Sequence, residues 1–84
     1  MKYCLITFRS VTPAQRGENI LRRAGVSCGI RRTPRWMEEQ GCGYSLRVGF
    51  QDAARSVELL RNEDVPFRKV YWIRENGTAE ELSV

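Results

Sequence analysis

Histidine is missing from this 84-residue chain, and cysteine occurs only three times, as Cys4, Cys28 and Cys42. Without an imidazole there is no Cys–His pair for acyl transfer of the papain kind. A zinc site of the usual ligand type within one chain is also excluded. An odd cysteine count, no C-x-x-C pair and no basic, apolar leader all argue against a disulfide scaffold. No apolar run is long enough to cross a bilayer, so a soluble cytoplasmic protein is expected. Lysine is scarce beside arginine, and the net charge is +4. The planar fork of arginine suits phosphate, carboxylate or RNA. A genome that favours arginine codons gives the same composition, and these arginines are spread along the chain among ten acids.

The length is that of one domain, placed at residues 1–74 with a polar tail over 75–84. "YCLITF" at Tyr3–Phe8 reads as a strand. "TPAQ" then offers Thr12 as a helix N-cap, Pro13 at the first helical position and Gln15 where a capping box needs it. Ala14, Gly17, Leu21 and Ala24 share one helical face with Ile20 beside them, and Gly25 closes the helix with Val26 as the apolar contact. Val26, Cys28 and Ile30 alternate with Ser27, Gly29 and Arg31 as a second strand. Leu46, Val48 and Phe50 alternate with Ser45, Arg47 and Gly49 as a third. A helix over 52–62 buries Ala53, Ala54, Val57 and Leu60, and Phe67–Ile73 forms a fourth strand. The tail turns at Asn76-Gly77 and then frays or holds one helical turn from Thr78.

Strand, helix, strand, strand, helix, strand is the βαββαβ pattern of an α+β, ferredoxin-like fold. Such a fold has a four-stranded antiparallel sheet with two helices on one face. The first and fourth strands, however, carry apolar side chains in both alternating sets. Tyr3 and Leu5 oppose Cys4 and Ile6, and Tyr71 and Ile73 oppose Val70 and Trp72. A sheet with one wet face does not look like that, so the bare face is expected to be covered. A second copy, giving a homo-oligomer, or another partner would do so; the tail folding across is the alternative.

The connection "TPRWMEEQGCG", residues 33–43, exceeds the ~2–5 residues usual for a hairpin. Thr33 can cap and Pro34 can start a helical turn that Gly41 ends. Cys42 then stands between Gly41 and Gly43, which leave little bulk around its sulfur. Cys4 and Cys28 share strand faces with Ile6, Val26 and Ile30 and read as core. Cys42 is either an incidental loop residue or a reachable thiol. Arg31, Arg32, Arg35 and Arg47 would lower its pKa. Glu38, Glu39 and the C-terminal end of the preceding turn would raise it, so the sign stays open. With no base but the glutamates nearby, the remaining use of such a thiol is as a handle that accepts a sulfur or selenium atom and passes it on.

"ITFRSVTPAQRGENILRRAGV" and "TPRWMEEQGCGYSLRV" resemble the selenium/sulfur (Se/S) carrier protein-like family, small bacterial proteins formerly grouped as a domain of unknown function. The likeness spans Tyr3 to Ile73, and its specific part is the Pro-Arg…Cys-Gly…Leu-Arg spacing. It implies that Cys42 is the carrier thiol, that Pro34 and Arg35 shape the loop, and that Arg47 sits beside the site. It implies no cofactor or metal. The implied partners are a donor of the cysteine desulfurase or selenocysteine lyase type and an acceptor protein, with no membrane or nucleic acid. Gln40 departs from the small residues that such proteins often place before the cysteine. The sequence has no Cys-Pro-x-Pro motif, so it is not a TusA-type carrier.

Two other readings compete. Ferredoxin-like sheets can stack RNA bases on aromatics, and Tyr3, Tyr71 and Trp72 are available. The third strand, "YSLRVGF", however, lacks the interleaved aromatics of an RNP signature. A regulatory dimer with an idle Cys42 is the other. Arg47 has a plain alternative as well, an ion pair with Glu38, Glu39 or a partner's acid.

Overall fold

The chain runs β1 (Tyr3–Phe8), α1 (Val11–Arg23), β2 (Cys28–Arg32), β3 (Tyr44–Gly49), α2 (Ala53–Asn62), β4 (Val70–Ile73) and β5 (Ala79–Leu82). The computed structural model describes residues 2–33 and 43–83. Its strands make one sheet in the order β2-β3-β1-β4-β5, with every neighbouring pair antiparallel. The architecture is α+β with two helices, and the four strands expected are corrected to five. The extra strand is the tail, which neither frays nor turns helical.

Local chemistry explains that strand. Asn76 Oδ1 accepts from the Thr78 N–H at 3.1 Å and from Thr78 Oγ1 at 2.7 Å. Gly77 takes φ +87, a torsion open to glycine, and Arg74 N–H donates to Thr78 O at 2.9 Å. The chain therefore reverses and pairs Val70 with Leu82 and Ile73 with Ala79. Leu82 packs against the core on the helix side, and Ala79 joins the apolar set on the opposite face. An ion pair between Arg74 and Glu80 spans the hairpin. The tail thus widens the sheet edgewise and does not fold across its face.

Helix α1 starts one residue before Thr12. Ser10 is the N-cap, in extended torsions and without a side-chain cap bond. Pro13 remains in the first turn, where a missing N–H costs no intrahelical bond, so the helix can begin upstream of it. Its C-terminus closes as expected: Gly25 takes φ +83, its N–H donates to Arg22 O at 3.0 Å, and Val26 N–H reaches Leu21 O at 2.9 Å. This is the Schellman pattern, with Val26 buried. Helix α2 ends in the same pattern with a non-glycine residue. Asp64 takes φ 56 and donates to Arg61 O at 3.1 Å, and Val65 N–H reaches Leu60 O at 2.9 Å.

Other expectations shift with the packing. Helix α2 buries Ser56 where Ala54 was expected, and Ala54 is exposed. Ser56 Oγ is satisfied inside the helix by donating to Asp52 O at 2.7 Å. Phe50 leaves the strand for a 3-10 turn at Phe50–Asp52 and is 42% exposed, with its ring 4.9 Å from that of Trp72. β2 begins at Cys28, after Val26 has been taken by the helix cap. β4 begins at Val70, not Phe67, because Thr7 faces two residues: its N–H donates to Lys69 O while its C=O accepts from Arg68 N–H. That two-against-one pairing is a β-bulge, and Thr7 Oγ1 accepts the Lys69 N–H at 3.0 Å.

The helices cover Cys4, Ile6, Phe8, Leu46, Val48 and Val70. On the other face Leu5 and Ile73 form a second cluster with Tyr3, Tyr71 and Ala79. Along β1 and β4 both sheet faces are apolar, as read from the alternation. Leu5 and Ile73 are only 3% and 7% exposed within the single chain, which leaves a partner less to bury than the sequence implied.

Candidate functional site

Pro34, Arg35, Gly41 and Cys42 lie outside the described residues; Gly43 and Arg47 lie within them. Both ends of the connection are in view. Thr33 N–H donates to Gly43 O at 3.1 Å, adding one rung to the ladder that pairs Arg32 with Tyr44. Arg32 places its guanidinium 5.6 Å from the Tyr44 ring centroid. Thr33 and Gly43, the ends of the described chain on either side, therefore stand at adjacent points of the sheet, one strand spacing apart. Thr33 and Gly43 are buried, and Thr33 Oγ1 has no hydrogen-bond partner among the described residues.

Arg47 sits midway along β3 on the face away from the helices, opposite Gly29 on β2 and Leu5 on β1. Its guanidinium lies 4.0 Å from the Tyr3 ring centroid, close enough for a cation–π contact. Tyr3 pairs with Gly49, two residues farther from the connection, so Arg47 leans away from Gly43. Among the described residues no carboxylate is within ion-pair distance of Arg47. An ion pair with Glu38 or Glu39 falls outside them.

Cys4 and Cys28 are accounted for by packing. Cys4 is fully buried, and burial pushes its thiol pKa up. Cys28 is half-buried with Sγ 3.8 Å from Glu18 O. Burial first and the Glu18 carboxylate second raise its pKa, against the lowering charge and hydrogen bond of Arg22. Thiols held protonated in this way are poor nucleophiles at neutral pH. No three His, Cys, Asp or Glu side chains gather as a metal site among the described residues. No helix there is long and apolar enough to cross a membrane.

Reading the sequence missed a cleft of about 400 Å³ at the end of the sheet remote from the 33–43 connection. Lys2, Tyr3, Gly29, Arg31, Arg47 and Asp52 line it. The available signal was the polar alternation Ser27-Gly29-Arg31 beside Ser45-Arg47-Gly49. It becomes a site only once the register sets Gly29 against Arg47.

A protein-family model described as "Putative Se/S carrier protein-like" matches residues 3–72. No curated protein and no solved structure matches the chain.

Proposed function

The chain belongs to the Se/S carrier protein-like family, and on that premise we propose that it holds a sulfur or selenium atom on Cys42 and hands it between enzymes. One observation carries this reading: of the three cysteines in a chain of this family, two are taken up by packing with raised pKa values. That leaves Cys42, set between Gly41 and Gly43, as the thiol for the cargo. The sheet supports the same assignment by returning the chain at Gly43 beside the point where it left at Thr33.

The chemistry asks little of the carrier. The Cys42 thiolate attacks the outer sulfur of a persulfide on a donor of the cysteine desulfurase type. A new S–S bond forms on Cys42, the donor's S–S bond breaks, and the donor cysteine leaves as its thiolate. The transferred sulfur keeps its oxidation state, so no oxidant or reductant is consumed. An acceptor thiolate repeats the step in the opposite direction. A selenopersulfide from a selenocysteine lyase type donor follows the same balance. Arg35, in the same connection, is assigned to steady the thiolate. Arg47, with its guanidinium 4.0 Å from the Tyr3 ring centroid, is given no part in this step.

Intact-protein mass spectrometry after incubation with a cysteine desulfurase and cysteine tests the reading. The wild-type chain is expected to gain the mass of one sulfur atom, reversed by reductant and absent from Cys42→Ser. Equal gain in both proteins would move the site to Cys4 or Cys28. No gain with either a sulfur or a selenium donor would end the carrier reading.

A further inference from the structure

We infer that the cleft at the end of the sheet remote from the connection binds a small, hydroxylated phosphomonoester. It lies where β2 begins, β3 ends and β1 begins, about 16 Å along β3 from Gly43 by strand rise. Its cations are Arg31, Arg47 and Lys2. Four guanidinium groups elsewhere are engaged: Arg22 and Arg74 pair with Glu18 and Glu80, while Arg16 and Arg55 donate to Glu63 O and Ala24 O. Arg31 and Arg47 donate to no described residue. Two planar forks with their N–H groups unspent, beside an ammonium, match the several acceptor oxygens of a dianion.

The floor is bare backbone at Gly29, while at Gly49 a Cβ would lie 3.6 Å from Asp52 Oδ2. Gly29 stands opposite Arg47, and Gly49 stands opposite Tyr3. A methyl group built on Gly29 would meet nothing within 4 Å, so an oxyanion can approach the strands between the two arginines. The volume exceeds what a bare phosphate fills and falls within the range of small-ligand pockets. The remaining lining explains the rest of the ligand. Ser27 and Asp52 offer a hydroxyl and a carboxylate, suited to hydroxyl groups, and Asp52 repels a second anion. Tyr3 already has Arg47 on its ring, which removes the stacking platform that a nucleobase needs. The inference does not rest on the Cys42 reading, since sulfur uptake and phosphate binding are read by separate assays.

The test is a titration of the ¹⁵N-labelled chain with glucose-6-phosphate, inorganic phosphate and a short oligouridylate, followed by NMR. Saturable shifts are expected at the Gly29 and Gly49 amides and at Arg47 Nε, with glucose-6-phosphate binding at least about tenfold tighter than phosphate. Arg31→Gln and Arg47→Gln should each weaken that binding at least about tenfold, while Arg9→Gln leaves it unchanged. Arg31 is exposed, so its variant keeps the test valid if Arg47→Gln loosens the fold. No saturation, equal affinity in the arginine variants, equal affinity for the two phosphates, or displacement by oligouridylate would each overturn the assignment.

Discussion

Replacing Gly17 by alanine sets two effects of known size against each other. Gly17 lies in the middle of α1 and is buried. Alanine there is favoured over glycine by about 1 kcal/mol of helix propensity. A Cβ on Gly17, however, would lie 3.1 Å from Leu60 Cδ2, 3.2 Å from Leu46 Cδ1 and 3.4 Å from Phe8 Cζ. All three neighbours are 0% exposed, so none can swing into solvent, and overpacking of this kind costs roughly 1–3 kcal/mol. The crowding wins: Gly17→Ala should destabilise by about 1 kcal/mol, a fall of roughly 4–8 °C in Tm for a chain of this size. Leu60→Val removes the nearest atom, and in that background the same alanine should become neutral or stabilising. The coupling in the cycle is expected to reach about 1 kcal/mol or more. Urea denaturation of the four proteins measures it. If Gly17→Ala stabilises the wild-type chain by the full propensity gain, the close approach of α1 to β3 and α2 is wrong.

The two helix ends should respond in opposite directions. Gly25→Ala, at φ +83, should cost about 1 kcal/mol, whereas Asp64→Gly, at φ 56, should recover part of a left-handed penalty of roughly 1–2 kcal/mol; thermal melts separate them. The thiols set an alkaline limit. Cys4 and Cys28 keep their protons longer in the folded chain than in the unfolded one, so their contribution is whole below the ordinary thiol range. It declines as pH rises above about 8.5 toward the folded values. Cys4→Ala should therefore show a shallower loss of urea midpoint between about pH 8 and pH 9.5 than the wild type. Ending the chain after Asn76 removes β5 and Leu82 and should cost at least about 2 kcal/mol. It also uncovers the outer edge of β4, so size-exclusion chromatography should show self-association.

What could be read in advance was what neighbouring residues decide. The Gly25–Val26 closure of α1 needs only its own last turn, and the alternation in β1 and β3 needs only period two. The expected start at Thr12 rested on Thr-Pro chemistry, and a chain that enters the helix two residues earlier satisfies the same proline. Ala54 and Ser56 exchanged roles because apolarity favours alanine, while α2 meets the sheet along a stripe that includes Ser56. β5 escaped notice because "AEEL" is an edge strand with one contact residue per face, Ala79 on one side and Leu82 on the other, and such a segment looks polar. At the candidate sites, Cys42 stands out by motif. The cleft of Arg31, Arg47 and Lys2 depends on three strands in one register, and no local pattern contains that.

The central position of β1 governs the order in which the chain can fold. Of the five strands it is synthesised first, yet its hydrogen-bonding neighbours are β3 and β4, and the next of them made, β2, does not touch it. Until Tyr44–Gly49 has appeared, "YCLITF" has no partner on either side, and until Val70–Ile73 has appeared it has an open edge. Local hairpins cannot build this sheet outward from β1, so closure is a long-range event that waits for β4. A nascent chain exposes β1, the strand most buried in the folded sheet, for longest, which makes it the strand that a holding chaperone would have to shield.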